Sequence, residues 1–175
     1  YFSLFIAAFL TSAAASASDV INVLDNPGLE LGKAKISASS APTFSVITSG
    51  GNFSGDGKVS GSFDASAAAQ TVGWVQKAVP AALYSKSCLG RITYKTSESS
   101  LKYKLQALDE SLNVLSEKTL EASSLFVEEH VSFVCPSSGS ISLRLLSAGD
   151  AAAVYFDGGH LGSNLKLATF SQAKF

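Results

Sequence analysis

The sequence predicts an all-β protein, an antiparallel β-sandwich of eight or nine strands. Short apolar or alternating segments recur about every ten residues from residue 20 onward. Glycine-rich and polar turn residues separate these segments, and no confident helix follows residue 18. Only the segment 115–125 has some helical character, and the Ser123–Ser124 pair within it weakens that interpretation.

The strands can be placed in order along the chain. The first, 20–24, ends at the Asp-Asn-Pro-Gly turn of residues 25–28, and a glycine-rich loop over 49–57 follows a weakly alternating segment. The clearest alternation is in 101–108, where Leu101, Tyr103, Leu105 and Ala107 share one face. The full predicted set is 20–24, 36–46, 72–79, 89–96, 101–108, 114–116, 126–134, 141–146 and 153–157.

The charge balance excludes some classes of partner. Thirteen basic and fourteen acidic residues give a net charge of −1, and charged residues are 15% of the 175. Such a chain has little electrostatic attraction to the phosphates of nucleic acid. We therefore expect no nucleic-acid partner.

The N-terminal residues 1–17 have the pattern of a secretory signal peptide. Apolar residues 2–10 precede small residues that end in Ala15-Ser16-Ala17, and the first charge is Asp19. The apolar run is shorter than the roughly 20 residues of a membrane span. Removal of this segment leaves a secreted domain, 18–162, with a linker or further region in 163–175 and no membrane contact. The alternative is a retained N-terminal apolar helix, as in pilin-like subunits.

Two cysteines, Cys88 and Cys135, each lie in a strand-like segment. In an oxidising compartment they are expected to pair as a disulfide between two strands. The alternative is two unpaired buried thiols.

Two motifs lie near the ends of the predicted domain. Residues 22–32 read N-V-L-D-N-P-G-L-E-L-G, and residues 154–162 read V-Y-F-D-G-G-H-L-G. They resemble the opening run and the last strand of jelly-roll carbohydrate-binding modules with the galactose-binding-like fold. The resemblance implies an antiparallel jelly-roll sandwich that is not catalytic. Modules of this kind occur in secreted, adhesin and tail-fibre-like proteins.

The resemblance also implies a structural Ca²⁺ that joins the first and last strands. Glu30 matches the glutamate of the opening motif, and Asp157 matches the aspartate of the last strand. Carbonyl groups near Gly28 and Lys58 would complete the oxygen shell that Ca²⁺ requires. Gly158 stands where these modules usually have a second aspartate. The alternative is that Glu30 caps a turn and Asp157 ends a strand at the surface.

For the ligand, such folds use aromatic ring faces flanked by amides and carboxylates. Trp74 with Gln76 is the preferred pair, and Tyr103 is a weaker candidate because its strand face also carries Leu101 and Leu105. An aromatic side chain on a strand is otherwise a core residue. Further candidates are the tyrosines 84, 94 and 155 and the loop 50–61.

Catalytic motifs are missing from the sequence. It has no G-x-S-x-G elbow and no H-E-x-x-H pair, and on a strand Glu129 points away from Glu128 and His130. We therefore expect a non-enzymatic, exported module that binds a glycan on a cell surface or polysaccharide, as part of an adhesin or fibre. The alternative is a structural fibre subunit that associates with copies of itself.

Overall fold

Antiparallel pairing organises the chain into two sheets in the computed structural model, which describes residues 20–29, 31, 33–39, 43–47, 60–96, 103–149 and 151–164. The predicted signal segment 1–17 and residues 165–175 lie outside the described residues. The all-β sandwich is confirmed. The described residues form eleven strands and one short 3-10 helix, Ala81–Leu83.

The strands are β1 (Ile36–Ala38), β2 (Thr43–Ile47), β3 (Ser60–Ala65), β4 (Thr71–Trp74), β5 (Lys77–Ala78), β6 (Ser87–Thr96), β7 (Tyr103–Leu108), β8 (Val114–Thr119), β9 (Val127–Val134), β10 (Ser140–Ser147) and β11 (Ala151–Ser163). The six-stranded sheet has the order β1-β4-β10-β7-β8, with β5 paired to β10. The five-stranded sheet has the order β2-β3-β11-β6-β9.

The core lies between the two sheets and is filled by every second residue of the long strands. In β7, for example, Tyr103, Leu105 and Ala107 are fully buried on the inward face that their alternation predicts, and Leu101 lies outside the described residues. Aromatic contacts connect the two sheets, with Trp74 edge-on to Phe156 at 5.8 Å between ring centroids. Burial of this apolar surface drives the sheets together, because each square ångström removed from water contributes about 25 cal/mol.

Four local predictions need correction. The predicted strand 36–46 is two strands, β1 and β2, in different sheets, and 72–79 is divided into β4 and β5. Residues 20–24 form an isolated bridge, Asn22 to Gly162, instead of a strand, because the Asn22 side chain accepts hydrogen bonds from the Leu24 and Leu161 amides. Gly162 allows this approach, since a Cβ there would collide with the carbonyl of Ile21. The segment 115–125 is not helical, and β8 occupies its first part.

A disulfide joins Cys88 of β6 to Cys135, which directly follows β9, with 5.6 Å between the Cα atoms. The predicted pairing is therefore confirmed. Within the described part of the chain, no helix is long and apolar enough to span a membrane.

Candidate functional site

A groove runs across the outer face of the six-stranded sheet. A row of residues that are paired in register crosses five strands of this face, and consecutive members lie directly opposite one another. Three of them, Ser37, Gly73 and Arg144, line the groove. In order from β1 to β8 the row is Ser37, Gly73, Arg144, Gln106 and Glu117. Because neighbouring strands lie about 4.8 Å apart, such a row places its functional groups at regular intervals perpendicular to the strands.

Hydrogen bonds connect the polar half of this row. Nε of Arg144 donates to Oε1 of Gln106 at 2.9 Å, and Nε2 of Gln106 donates to Oε2 of Glu117 at 2.8 Å. Lys104 donates to the other Glu117 oxygen at 2.6 Å. These contacts fix the guanidinium plane, and its two terminal nitrogens have no hydrogen-bond partner among the described residues. The groove therefore contains an oriented donor pair.

The protein environment changes the pKa of two groups in the row. Hydrogen bonds from Lys104 and Gln106 lower the pKa of the Glu117 carboxyl. Burial lowers the pKa of Arg144, although a guanidinium remains charged in proteins. At neutral pH the row therefore carries a carboxylate at one end and a cation at its centre.

Gly73 lines the groove between Ser37 and Arg144. A Cβ at this position would lie 2.5 Å from the Cβ of Arg144 and would also collide with the carbonyl of Leu143. The glycine is thus required by the close approach of β10. The cavity has a volume of about 330 Å³. Its other lining residues are Thr71, Trp74, Val75, Gln76, Leu108, Leu112 and Ser142.

No protein-family model matches the sequence, and no curated protein matches it. A family 61 carbohydrate-binding module solved with beta-1,4-galactotriose is similar in structure, with a TM-score of 0.60 and 16% identity over 81% of this chain and 97% of that one. A family 22 xylan-binding domain has a TM-score of 0.52 and 17% identity over 78% of this chain and 91% of that one.

The chain has the galactose-binding-like jelly-roll fold of carbohydrate-binding modules. An arabinose-bound GH51 α-L-arabinofuranosidase also matches, at a TM-score of 0.61 and 12% identity over 81% of this chain, but the match spans only 26% of that enzyme. The module-sized neighbours are matched over nearly their whole length, so the likeness extends over a complete fold of their size.

Within this jelly-roll, two of the predicted ligand-binding rings are core residues. The Trp74 side chain is 4% exposed, and its indole N–H donates to the carbonyl of Asn26 at 3.1 Å. Tyr103 is fully buried, and its hydroxyl donates to the carbonyl of Phe63 at 3.1 Å. The prediction that these rings form an exposed platform is therefore wrong, because both residues alternate inward on their strands.

Gln76, by contrast, does line the groove. It lies beyond the end of β4, so it does not share a strand face with Trp74. Its amide nitrogen donates to the carbonyls of Asp109 at 3.0 Å and Glu110 at 3.2 Å. Gln76 therefore supports the turn that carries Leu112 to the edge of the groove.

Sequence reasoning missed Arg144, although a signal for it exists. In β10 the outward residues are Ser142, Arg144 and Leu146. They alternate with the inward residues Ile141, Leu143 and Leu145. A single arginine in a strand whose other residues are mostly apolar indicates the face of the sheet that points outward. What the sequence did not reveal is that Gln106 and Glu117 lie beside it.

The predicted Ca²⁺ ligands are only partly described. Glu30, Lys58 and most of the loop 50–61 lie outside the described residues. Asp157 is buried, with one carboxylate oxygen accepting from the Gly158 amide at 2.6 Å. The turn containing Gly28 lies against the same segment, since the Gly159 amide donates to the carbonyl of Pro27 at 2.9 Å. Over the described ranges, no cluster of three or more His, Cys, Asp or Glu side chains could hold a metal.

Proposed function

We propose that this module binds a glycan chain in the groove of the six-stranded sheet and performs no catalysis. The observation that carries the proposal is the oriented, hydrogen-bonded row centred on Arg144. It lies in a groove of a fold whose similar structures include a module solved with a galactotriose and a xylan-binding domain.

The groove offers the two kinds of contact that a sugar needs. The terminal nitrogens of Arg144 donate to sugar hydroxyl or ring oxygens, and the hydroxyls of Ser37 and Ser142 both donate and accept. Leu112, whose side chain is exposed at the edge of the groove, provides apolar surface for the C–H faces of the rings. Because the row crosses the strands, we expect the glycan chain to lie perpendicular to them.

The test is a glycan array followed by calorimetry on the best ligand, with the Arg144→Ala variant. Loss of a charged hydrogen-bond donor is expected to weaken binding by about 10- to 100-fold. Arg91→Ala is the matched control, because Arg91 is a half-buried arginine on the other sheet, paired with Glu128 at 3.1 Å. Equal affinity of wild type and Arg144→Ala would rule out this groove as the site.

We further propose that a Ca²⁺ held by Glu30, Asp157 and carbonyls near Gly28 and Lys58 joins the opening turn to β11. The buried Asp157 carboxylate beside the turn that contains Gly28 supports this arrangement. A chelator is then expected to lower the melting temperature of the wild type but not of the Asp157→Asn variant. An unchanged wild-type melting temperature contradicts the proposal.

Export to an extracellular surface is also part of the proposal. Its support is the signal-like segment 1–17, the disulfide, and the structural likeness to an adhesin domain of Lys-gingipain from Porphyromonas gingivalis. That likeness has a TM-score of 0.54 and 11% identity, over 79% of this chain and 96% of that one. Mass spectrometry of the exported protein is expected to find Ser18 at the N-terminus. A mature chain that retains residues 1–17 contradicts this part.

A second candidate function is self-association within a fibre. The observation that favours it is β9, an edge strand of the five-stranded sheet, where Val134 is exposed and Leu125 is exposed just ahead of the strand. Sedimentation analysis separates the two functions, since a structural subunit forms oligomers without a glycan.

A further inference from the structure

The outer face of the five-stranded sheet carries its own row of residues across the strands. Ser45 of β2 pairs with Ser62 of β3, which pairs with Tyr155 of β11, and Tyr155 pairs with Lys95 of β6. Phe126, directly before β9, continues the row, because the Lys95 ammonium lies 5.7 Å from its ring centroid. All five side chains are partly exposed.

Lys95 is held between two aromatic rings. Its Nζ lies 5.8 Å from the Tyr155 ring centroid as well as 5.7 Å from that of Phe126. These distances are in the range of cation–π attraction, which restrains the ammonium above the sheet. Two rings and one cation therefore form a compact cluster on this face.

No acidic partner for Lys95 is found among the described residues. Four other described cations on the strands do have a carboxylate within 4 Å, and Arg144 in the groove of the other sheet does not. The four pairs are Lys77 with Asp25, Arg91 with Glu128, Lys104 with Glu117, and Lys118 with Glu129. On the same face, Glu128 is already paired with Arg91 at 3.1 Å, and Asp64 lies on β3 opposite Thr43, outside the row. Within the described ranges, the positive charge of Lys95 is thus left without a carboxylate.

We propose that this row is a second binding surface, for an acidic glycan that carries carboxylate groups. The faces of Tyr155 and Phe126 pack against sugar C–H groups, and Lys95 forms a charge-assisted hydrogen bond with a carboxylate. The Ser45 and Ser62 hydroxyls extend the polar contact along the same line. The surface lies on the opposite side of the sandwich from the groove, so the two sites act independently.

The experiment measures affinity for three polyuronates (polygalacturonate, alginate and hyaluronate) by calorimetry and affinity electrophoresis. Lys95→Gln is expected to weaken the binding of at least one of them about tenfold or more, as for loss of a charge-assisted contact. Phe126→Leu keeps an apolar side chain but removes the ring, and it is expected to weaken binding severalfold. Fully methyl-esterified polygalacturonate removes the charge from the ligand and is expected to bind more weakly than the acid form.

Two controls make the result specific. Lys86→Gln removes an exposed lysine that lies before β6 and outside the row, and it is expected to leave binding unchanged. Lys118→Gln is also expected to leave polyuronate binding unchanged, because Lys118 lies on β8 of the other sheet, where it is paired with Glu129. Thermal unfolding of each variant confirms that it is folded.

The proposal is overturned if none of the three polyuronates binds, if Lys95→Gln binds as tightly as wild type, or if the methyl ester binds as tightly as the acid. None of these outcomes bears on the groove, which is tested with neutral glycans and Arg144→Ala. Conversely, a variant that loses only neutral-glycan binding does not contradict the proposal for the second surface.

Discussion

On the six-stranded sheet, the outward side chains of the central row are linked to one another, with Arg144, Gln106 and Glu117 joined by hydrogen bonds. On the five-stranded sheet, the corresponding row instead places the ammonium of Lys95 between two aromatic rings. The first row crosses five strands, and the second crosses four and ends at Phe126, just before β9. Each row starts from a serine on an edge strand of its sheet.

This difference shows that the two sheets, which share one core, have chemically distinct outer surfaces. The fold supplies the regular spacing of the strands, and the identity of each outward residue supplies the chemistry. A glycan-binding role assigned from the fold therefore has to be tested on each face separately. The predictions below begin with the core that both faces share.

The largest expected effect is on the shared core. Trp74→Ala is expected to lower the free energy of unfolding by about 3–5 kcal/mol, because it leaves a cavity between the sheets and removes the contact with Phe156. Chemical denaturation measures this effect, and Trp74→Phe serves as the milder control. If Trp74→Ala were instead fully stable yet defective in glycan binding, the ring would belong to the groove, and the contrast between the faces would break down.

The disulfide is expected to matter more for the five-stranded sheet. Removal of the Cys88–Cys135 bond by a double serine variant is expected to cost about 3–4 kcal/mol, since it closes a long loop in the unfolded chain. Because the bond ties β6 to the end of β9, the surface around Lys95 and Phe126 is expected to weaken before the groove does. Denaturation with and without reductant measures the overall stability. Equal losses of polyuronate affinity and neutral-glycan affinity in the double serine variant would contradict the asymmetry between the faces.

The two faces are expected to respond to pH in different windows. Burial lowers the pKa of His160, on β11, below its ordinary 6.5. The unfolded chain therefore takes up a proton first, and stability falls as the pH drops below about 6.5 toward the folded pKa. The lowered pKa of Glu117 acts in a more acidic window, where its contribution is present above its ordinary 4.5 and lost as the pH falls through the folded pKa.

Unfolding free energies measured against pH separate these two groups. His160→Gln is expected to flatten the slope just below pH 6.5, and Glu117→Gln only the slope below pH 4.5. The Glu117 effect is expected to be small because its side chain is well exposed. If His160→Gln changed only the slope below pH 4.5, or if Glu117→Gln changed the slope just below pH 6.5, the assignment of each pH window to its group would be wrong.

The smallest effect is expected at the rim of the groove. Gln76→Ala removes the hydrogen bonds to the Asp109 and Glu110 carbonyls and loosens the turn beside Leu112. We expect neutral-glycan affinity to fall by a few-fold, roughly the value of one neutral hydrogen bond. Calorimetry measures it, with polyuronate binding as the internal control that stays constant.

Much of the fold could be predicted because strand alternation is a local signal. The inward face of 103–108 and the pairing of the two cysteines follow from residue types and their spacing. The binding surfaces could not be predicted in the same way. A tryptophan that packs between sheets and one that stacks on a sugar give the same sequence pattern. Only the tertiary structure shows that Trp74 lies on the inward face of β4, in the core.

The sequence by itself determined the all-β class, the alternation that divides each long strand into an inner and an outer face, and the two cysteines that could pair. The tertiary structure decided which outer residues become neighbours. The row consists of Ser37, Gly73, Arg144, Gln106 and Glu117. Only Gln106 and Glu117 come from consecutive strands, and the row exists because antiparallel pairing sets the register between this pair and the more distant strands. Register depends on contacts between distant segments, so no local pattern in the sequence contains it.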